Sequence, residues 1–193
     1  MEKISSLWQT AWVKYFKLVE TSTLTLKILV CVFFTIIIGL SGQVRILLPF
    51  TPVPITGQVY MVLLSGALMG RGAAFSLLLY LLGGMAGIPW FAAARSGFLF
   101  PTFGYLLGFV PASFIVGFFT EKSSYYRKLT GQISAMSLAI AIIYGCGITW
   151  LSVYLGINWK KAFLMGAAPF IPFDVVKAYL AAWTAYTILP ARK

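Results

Sequence analysis

Among 193 residues there are four acids, Glu2, Glu20, Glu121 and Asp174, and no histidine. Only Asp174 falls within a long apolar run, "PFIPFDVVKAYLAAW" (169–183), and Lys177 follows it three residues later. Residues three apart on a helix share a face. A charge at the bilayer centre costs about 2.5–3.5 kcal/mol on insertion scales, so such residues turn toward the bundle interior or a polar cavity. A carboxylate only accepts hydrogen bonds and an ammonium only donates them. Side by side they would read a ligand whose N–H groups sit next to an acceptor or an anionic group. A structural ion pair explains the same residues. Pro172 suits a first helical turn, which puts Asp174 at a helix N-terminus, where the dipole favours an anion. The sequence leaves both readings open.

Other candidates are sparse. Arg95 could hold a ligand carboxylate at an outer mouth, or simply snorkel to the interface. Gln58 opens an apolar run directly after a Pro-rich loop and is placed to face the same cavity. Tyr80, Trp90 and Tyr105 combine apolar walls with polar tips, in a ligand site or in plain packing.

These residues have to be positioned by a membrane domain. The chain is 60% hydrophobic and 10% charged, with a mean hydropathy of +0.90, against about 45–50% and 25% in soluble domains. The net charge of +11 fits basic cytoplasmic loops. With no basic recognition motif, it does not point to nucleic acid. Cys31 and Cys146 lie in apolar runs and read as buried thiols. Without histidine, common zinc sites and Ser-His-Asp triads are excluded. No phosphate loop is present, so the chain has no such route to ATP hydrolysis. A single intramembrane acid and no metal cluster argue against an enzyme. No cofactor is expected.

Six spans are predicted, over about 26–44, 58–69, 72–86, 105–119, 132–155 and 170–189. They form one transmembrane domain, 26–193, after a distinct segment, 1–25. In that segment Ile4, Leu7, Trp8, Ala11, Trp12 and Tyr15 recur at helical spacing, with lysines on the other face. It reads as an amphipathic helix lying in the membrane interface, and not as a cleaved signal peptide. Two connections are irregular but apolar: "RILLPFTPVPITG", with three prolines, and "GIPWFAAARSGFLFPTFG". Such backbone is tolerated at membrane depth only against protein or a cavity. Small residues four apart, Gly66/Gly70, Gly83/Gly87, Gly104/Gly108 and Ala178/Ala182, predict a compact bundle. With six spans, Lys3, Lys14, Lys17, Lys27, Arg71, Lys122, Arg127, Lys128, Arg192 and Lys193 fall on one side. Arg45, Arg95, Lys160 and Lys161 fall on the other. The excess places both termini in the cytoplasm.

Four stretches now stand in order: "QVRILLPFTPVPITGQ" (43–58), "LLLYLLGGMAGIPWFA" (77–92), "PTFGYLLGF" (101–109) and "PFIPFDVVKAYLA" (169–181). Together they resemble the BioY family, the biotin-specific substrate-binding (S) components of energy-coupling factor (ECF) transporters, over about residues 26–190. The resemblance implies an all-α integral membrane protein of the bacterial plasma membrane, with six transmembrane helices in a compact bundle. It implies capture of biotin from outside. Transport would be powered through a transmembrane coupling protein and two cytoplasmic ATPase subunits, although some members occur without a dedicated coupling module, which leaves solitary action as the alternative. Carried over by motif, Asp174 and Lys177 contact the ligand: Asp174 accepts from a ureido N–H, and Lys177 donates to the ureido oxygen or the carboxylate. The chain departs from the family pattern in two places. "AAARSGFLFPTFG" lacks the asparagine often found there, leaving Arg95 or Ser96 as substitutes. Cys31, Thr35 and Gly39 stand where S components often carry Ala-xxx-Ala. An S component for another vitamin, or a scaffold with a structural Asp174–Lys177 pair, are the alternatives.

Overall fold

The computed structural model describes residues 23–189. The expected amphipathic helix, up to residue 22, and the tail from residue 190 lie outside the described residues. The described chain runs α1 (Leu24–Ser41), β1 (Arg45–Ile46), β2 (Ile55–Thr56), α2 (Gln58–Met69), α3 (Ala73–Met85), α4 (Phe103–Lys122), α5 (Leu129–Leu155), α6 (Trp159–Gly166) and α7 (Ile171–Ile188). Short 3-10 turns at Gly70–Gly72 and Ser124–Arg127 join α2 to α3 and α4 to α5. Helices α1–α5 and α7 are the six expected. Helix α6 and the two-residue strands were not foreseen.

Four stretches are long and apolar enough to cross a membrane: Leu24–Ser41, Gln58–Met85, Phe103–Lys122 and Leu129–Leu155. A fifth arises if α6 and α7, bent by 56° at their junction, count as one broken span. The stretch Gln58–Met85 is not a single rod. Gln58 Nε2 donates to Tyr80 Oη at 2.6 Å, whereas a straight helix would separate these residues by about 33 Å at 1.5 Å per residue. The chain therefore folds back between them. Gly70 allows it, with φ +63° and ψ −149°, a conformation that disfavours any side chain. The two arms, 12 and 13 residues long, reach only about 18–20 Å, short of a hydrocarbon core of about 30 Å. Other helices shield α2, which is buried on nearly every side by α4, α7 and α1.

Helix α1 is the opposite case. Only the stripe Phe34, Thr35, Ile38 and Gly39 is buried, and most of the rest is exposed, as befits lipid contact. Thr35 Oγ1 satisfies itself on Cys31 O and crosses to Ser76 O of α3 at 3.0 Å. The most extensive helix pair is α4 with α5. A Cβ on Gly104 would strike Trp150 and Cys146 O, and one on Gly108 would sit 2.9 Å from Ile143 Cα. Without a hydrophobic drive between helices in lipid, such backbone contact supplies van der Waals attraction. Cys31 and Cys146 are free and half-buried.

The connections close one end of the bundle. The ribbon pairs Arg45 with Thr56 and Ile46 with Ile55, antiparallel, and carries the Pro-rich loop 47–54. That loop is tied down where Thr51 Oγ1 donates to Met165 O at 2.7 Å. Among the described residues, Arg45, Arg95, Lys160 and Lys161 belong to this end, and Lys27, Arg71, Lys122, Arg127 and Lys128 to the other. There Arg71 pairs with Glu121 at 2.6 Å.

The hairpin turn is threaded against α4 so tightly that a Cβ on Gly117 would overlap the Gly70 carbonyl. Gly117→Val should therefore destabilise the folded protein by about 1–3 kcal/mol through overpacking, read as a lower thermal midpoint in detergent. Gly145, with nothing near its Cβ position, provides the control: Gly145→Ala should leave the midpoint unchanged or raise it slightly.

Candidate functional site

Beneath the closed end lies a small cleft with a cavity volume of about 50 Å³. Its wall is mostly apolar: Val53 and Ile55 from the ribbon loop, Phe100 from the second connection, Leu106 and Phe109 from α4, Ile143 from α5 and Phe170 before α7. Polar groups enter from few places. Gln58 begins α2, Tyr105 projects from α4, Tyr144 from α5, and Asp174 and Lys177 from α7.

Local chemistry explains the placement of α7. Asn158 caps α6, its Oδ1 accepting from Lys161 N at 2.8 Å. The helix ends at Gly166, and the chain turns by 56°. Pro172 then occupies the first turn of α7, where its missing N–H costs nothing. This sets Asp174 in that first turn, facing inward, at 5% exposure. Its backbone N–H donates to Phe170 O at 2.9 Å.

The carboxylate is held on both oxygens. Lys177 Nζ donates to Oδ1 at 2.7 Å, and Tyr144 Oη donates to Oδ2 at 2.6 Å. Gln58 is also oriented. Its Nε2 is committed to Tyr80 Oη. Tyr80 Oη in turn donates to Trp90 O at 3.3 Å, and Trp90 Nε1 donates back to Tyr80 O at 2.8 Å. Gln58 therefore presents its carbonyl oxygen as the free end of its amide. Tyr105 Oη donates to Gly166 O at 2.8 Å; a Cβ on Gly147 would collide with the Tyr105 ring, and one on Gly166 with its hydroxyl.

Of the residues singled out from the sequence, Gln58, Tyr105, Asp174 and Lys177 converge on the cleft. Tyr80 and Trp90 do not line it. They stack behind it, ring centroids 5.6 Å apart, and orient Gln58. Arg95 lies in a separate outer cavity with Pro52, Ser96, Leu99, Phe100, Pro101 and Tyr154. Its guanidinium sits 6.0 Å from the Phe100 ring centroid, and Phe100 divides the two spaces. Arg95 follows a tight turn in which Ala93 and Ala94 have φ +68° and +51°, unusual for residues other than glycine. Gln43 clamps this turn to the end of α1, its Oε1 accepting from Ala94 N at 3.3 Å and its Nε2 donating to Phe91 O at 3.0 Å. Sequence reasoning missed Tyr144. Its signal was a phenol in the apolar run "IAIIYGCGITW", where a hydroxyl needs a partner. Among the described residues no three His, Cys, Asp or Glu side chains gather to hold a metal ion.

The BioY family model matches residues 12–193. The "Biotin transporter BioY" of Rhizobium etli is 35% identical over 181 residues, covering 86% of this chain and 96% of that protein. The "Probable biotin transporter BioY" of Pyrococcus horikoshii is 40% identical over 131 residues, 66% of this chain and 75% of that one. Among solved structures, the S-component for biotin from an ECF-type ABC transporter superposes with a TM-score of 0.77 at 25% identity, covering 86% of this chain and 93% of that one. A match this long, together with the six-helix bundle and its inward-facing Asp174, makes the chain a member of the BioY family of multi-pass membrane transporters.

Proposed function

We propose that this protein binds biotin in the cleft beneath the Pro-rich loop and serves as the biotin-specific S component of an ECF-type transporter. The observation that carries this reading is the doubly held Asp174 carboxylate in a mostly apolar cleft. A membrane bundle that needed only packing would not bury this charge, because a hydrophobic pair of similar volume is often neutral or more stable. Biotin's cyclic urea offers two N–H donors and one carbonyl acceptor. Asp174, with Gln58 Oε1 nearby, accepts from the N–H groups, and Lys177 donates to the carbonyl. Leu106, Phe109, Ile143 and Phe170 cover the thioether ring. The valerate carboxylate extends past Phe100 toward Arg95 in the outer cavity.

The cleft lies under the end of the bundle that carries Arg45 and Arg95. With both termini cytoplasmic, as the basic residues at the opposite end favour, this end faces outward and receives the vitamin from outside the cell. Energy then comes from ATPase subunits through a transmembrane coupling protein, a reading supported by the likeness to the S-component for biotin from an ECF-type ABC transporter.

Asp174→Asn should weaken biotin binding at least about 10-fold, the scale of one hydrogen bond to a charged group, with the helical circular dichroism spectrum retained. Calorimetry on detergent-purified protein reads it, and wild-type affinity in the variant would remove Asp174 from the site. Uptake of labelled biotin into sealed vesicles should need ATP and the partner subunits. Accumulation by this chain alone without ATP would overturn the energy assignment.

A further inference from the structure

Of helix α6, only Gly166 lines the cleft. The helix packs on α5 and is seated by a small cluster of Ile148, Ala162 and Ala167, separate from the main core. Within it only Ala162 and Gly166 are buried, and at 3.6 residues per turn these two share one side. Trp159 and Phe163 form the neighbouring flank. Lys161 lies opposite that flank, with Lys160 and Leu164 between. All five side chains are exposed. Trp159 Nε1 reaches Thr149 Oγ1 of α5 at 3.5 Å, one turn from the exposed Val153. The aromatic flank therefore borders the outward side of a membrane-spanning helix.

The lysines do not serve the helix itself. They hold its second and third positions, at the positive end of the helix dipole, where cations are disfavoured, and the first turn carries no acid. The two described carboxylates, Glu121 and Asp174, bond to Arg71 and Lys177. Neither Lys160 nor Lys161 has an ion partner among the described residues. The 56° bend tips α6 away from the direction of α7, at the end of the bundle that also carries Arg45 and Arg95. Aromatics on one flank and lysines on the other suit the layer where acyl chains give way to headgroups.

We propose that α6 is a membrane-interface anchor, with Trp159 and Phe163 among the upper acyl chains and Lys160 and Lys161 on the headgroup phosphates of anionic phospholipids, in the leaflet on the cleft's side. A soluble acidic partner would match the lysines and leave the aromatic flank uncovered. A phospholipid meets both, its phosphate lying directly above its chains. The anchor bears on the site because Met165 O of α6 accepts the bond from Thr51 in the roof, and α6 runs into the turn that places Asp174. Neither the lipid contact nor its test depends on which ligand the cleft holds.

The test reads Trp159 fluorescence in phosphatidylcholine nanodiscs, as the difference between wild type and Trp159→Phe. The discs carry a small fraction of phosphatidylglycerol or phosphatidylcholine, brominated either near the headgroup or near the chain end. Bromine near the headgroup should quench wild-type Trp159 more than bromine near the chain end. Brominated phosphatidylglycerol should do so at about 5- to 30-fold lower mole fraction than brominated phosphatidylcholine, the scale of one to two lysines at an anionic surface. Lys160→Gln/Lys161→Gln, which alters only exposed side chains, should bring the two lipids close to parity. Strong quenching by dissolved acrylamide with little from either lipid puts α6 in water and overturns the proposal, as does stronger quenching from the chain end. Equal quenching by the two headgroups in wild type overturns it too, as does a preference that survives in the lysine variant. Should Trp159→Phe fail to fold, thermal midpoints decide: added phosphatidylglycerol should raise that of wild type more than that of the lysine variant, and an equal rise overturns the proposal.

Discussion

One buried charge organises the functional half of this molecule. Asp174 sits in the first turn of a helix inside a membrane bundle, where an unpaired carboxylate would be costly. Its partners, Lys177 one turn along and Tyr144 on a neighbouring helix, neutralise it and use one lone pair on each oxygen. Everything else at that end of the bundle serves to make this arrangement possible. The bend between α6 and α7 brings the first turn of α7 inward, and Gly147 and Gly166 admit the ring of Tyr105 beside it.

A second constraint comes from the backbone. Lipid provides no hydrophobic drive for helices to associate, so contact has to come from close fit. The α2–α3 hairpin, α4 and α5 meet through glycines whose missing side chains leave room for a carbonyl or an aromatic edge. This close fit shields two helical arms too short to span a bilayer, and it carries Gln58 to the cleft. Rigid framing of this kind is what a binding site requires, because polar groups in a low-dielectric cavity discriminate only when they cannot relax toward the wrong ligand.

The irregular connections are anchored by specific groups. Thr51 ties the Pro-rich loop to α6, and Gln43 ties the left-handed turn at Ala93–Ala94 to α1. Both loops form the roof of the cleft, and side chain–backbone bonds hold them in addition to the short β1–β2 ribbon and the Phe91–Arg95 bridge. Function and irregular backbone coincide here because only irregular backbone can both cap a bundle and leave a space beneath it.

The sequence by itself determined the membrane character, the positions of the six bundle helices to within about three residues, the two irregular connections and the pairing of Asp174 with Lys177. These follow from hydropathy, from proline and glycine, and from one i,i+3 pair, all properties of neighbouring residues along the chain. It could not reveal α6, since eight residues of mixed polarity carry little periodic signal. Nor could it separate Tyr80 and Trp90, which orient Gln58 from behind, from Tyr105, which lines the cleft. All three are aromatics with polar tips, and only the tertiary packing decides which way each faces: α3 against the second connection for Tyr80 and Trp90, and α4 against Gly147 and Gly166 for Tyr105. Tyr144 is the clearest case. It lies 30 residues before Asp174, and nothing in the local pattern of α5 announces the contact. That hydrogen bond exists because the α4–α5 and α5–α7 packings bring two distant helix faces within 2.6 Å, a distance that only tertiary structure can set.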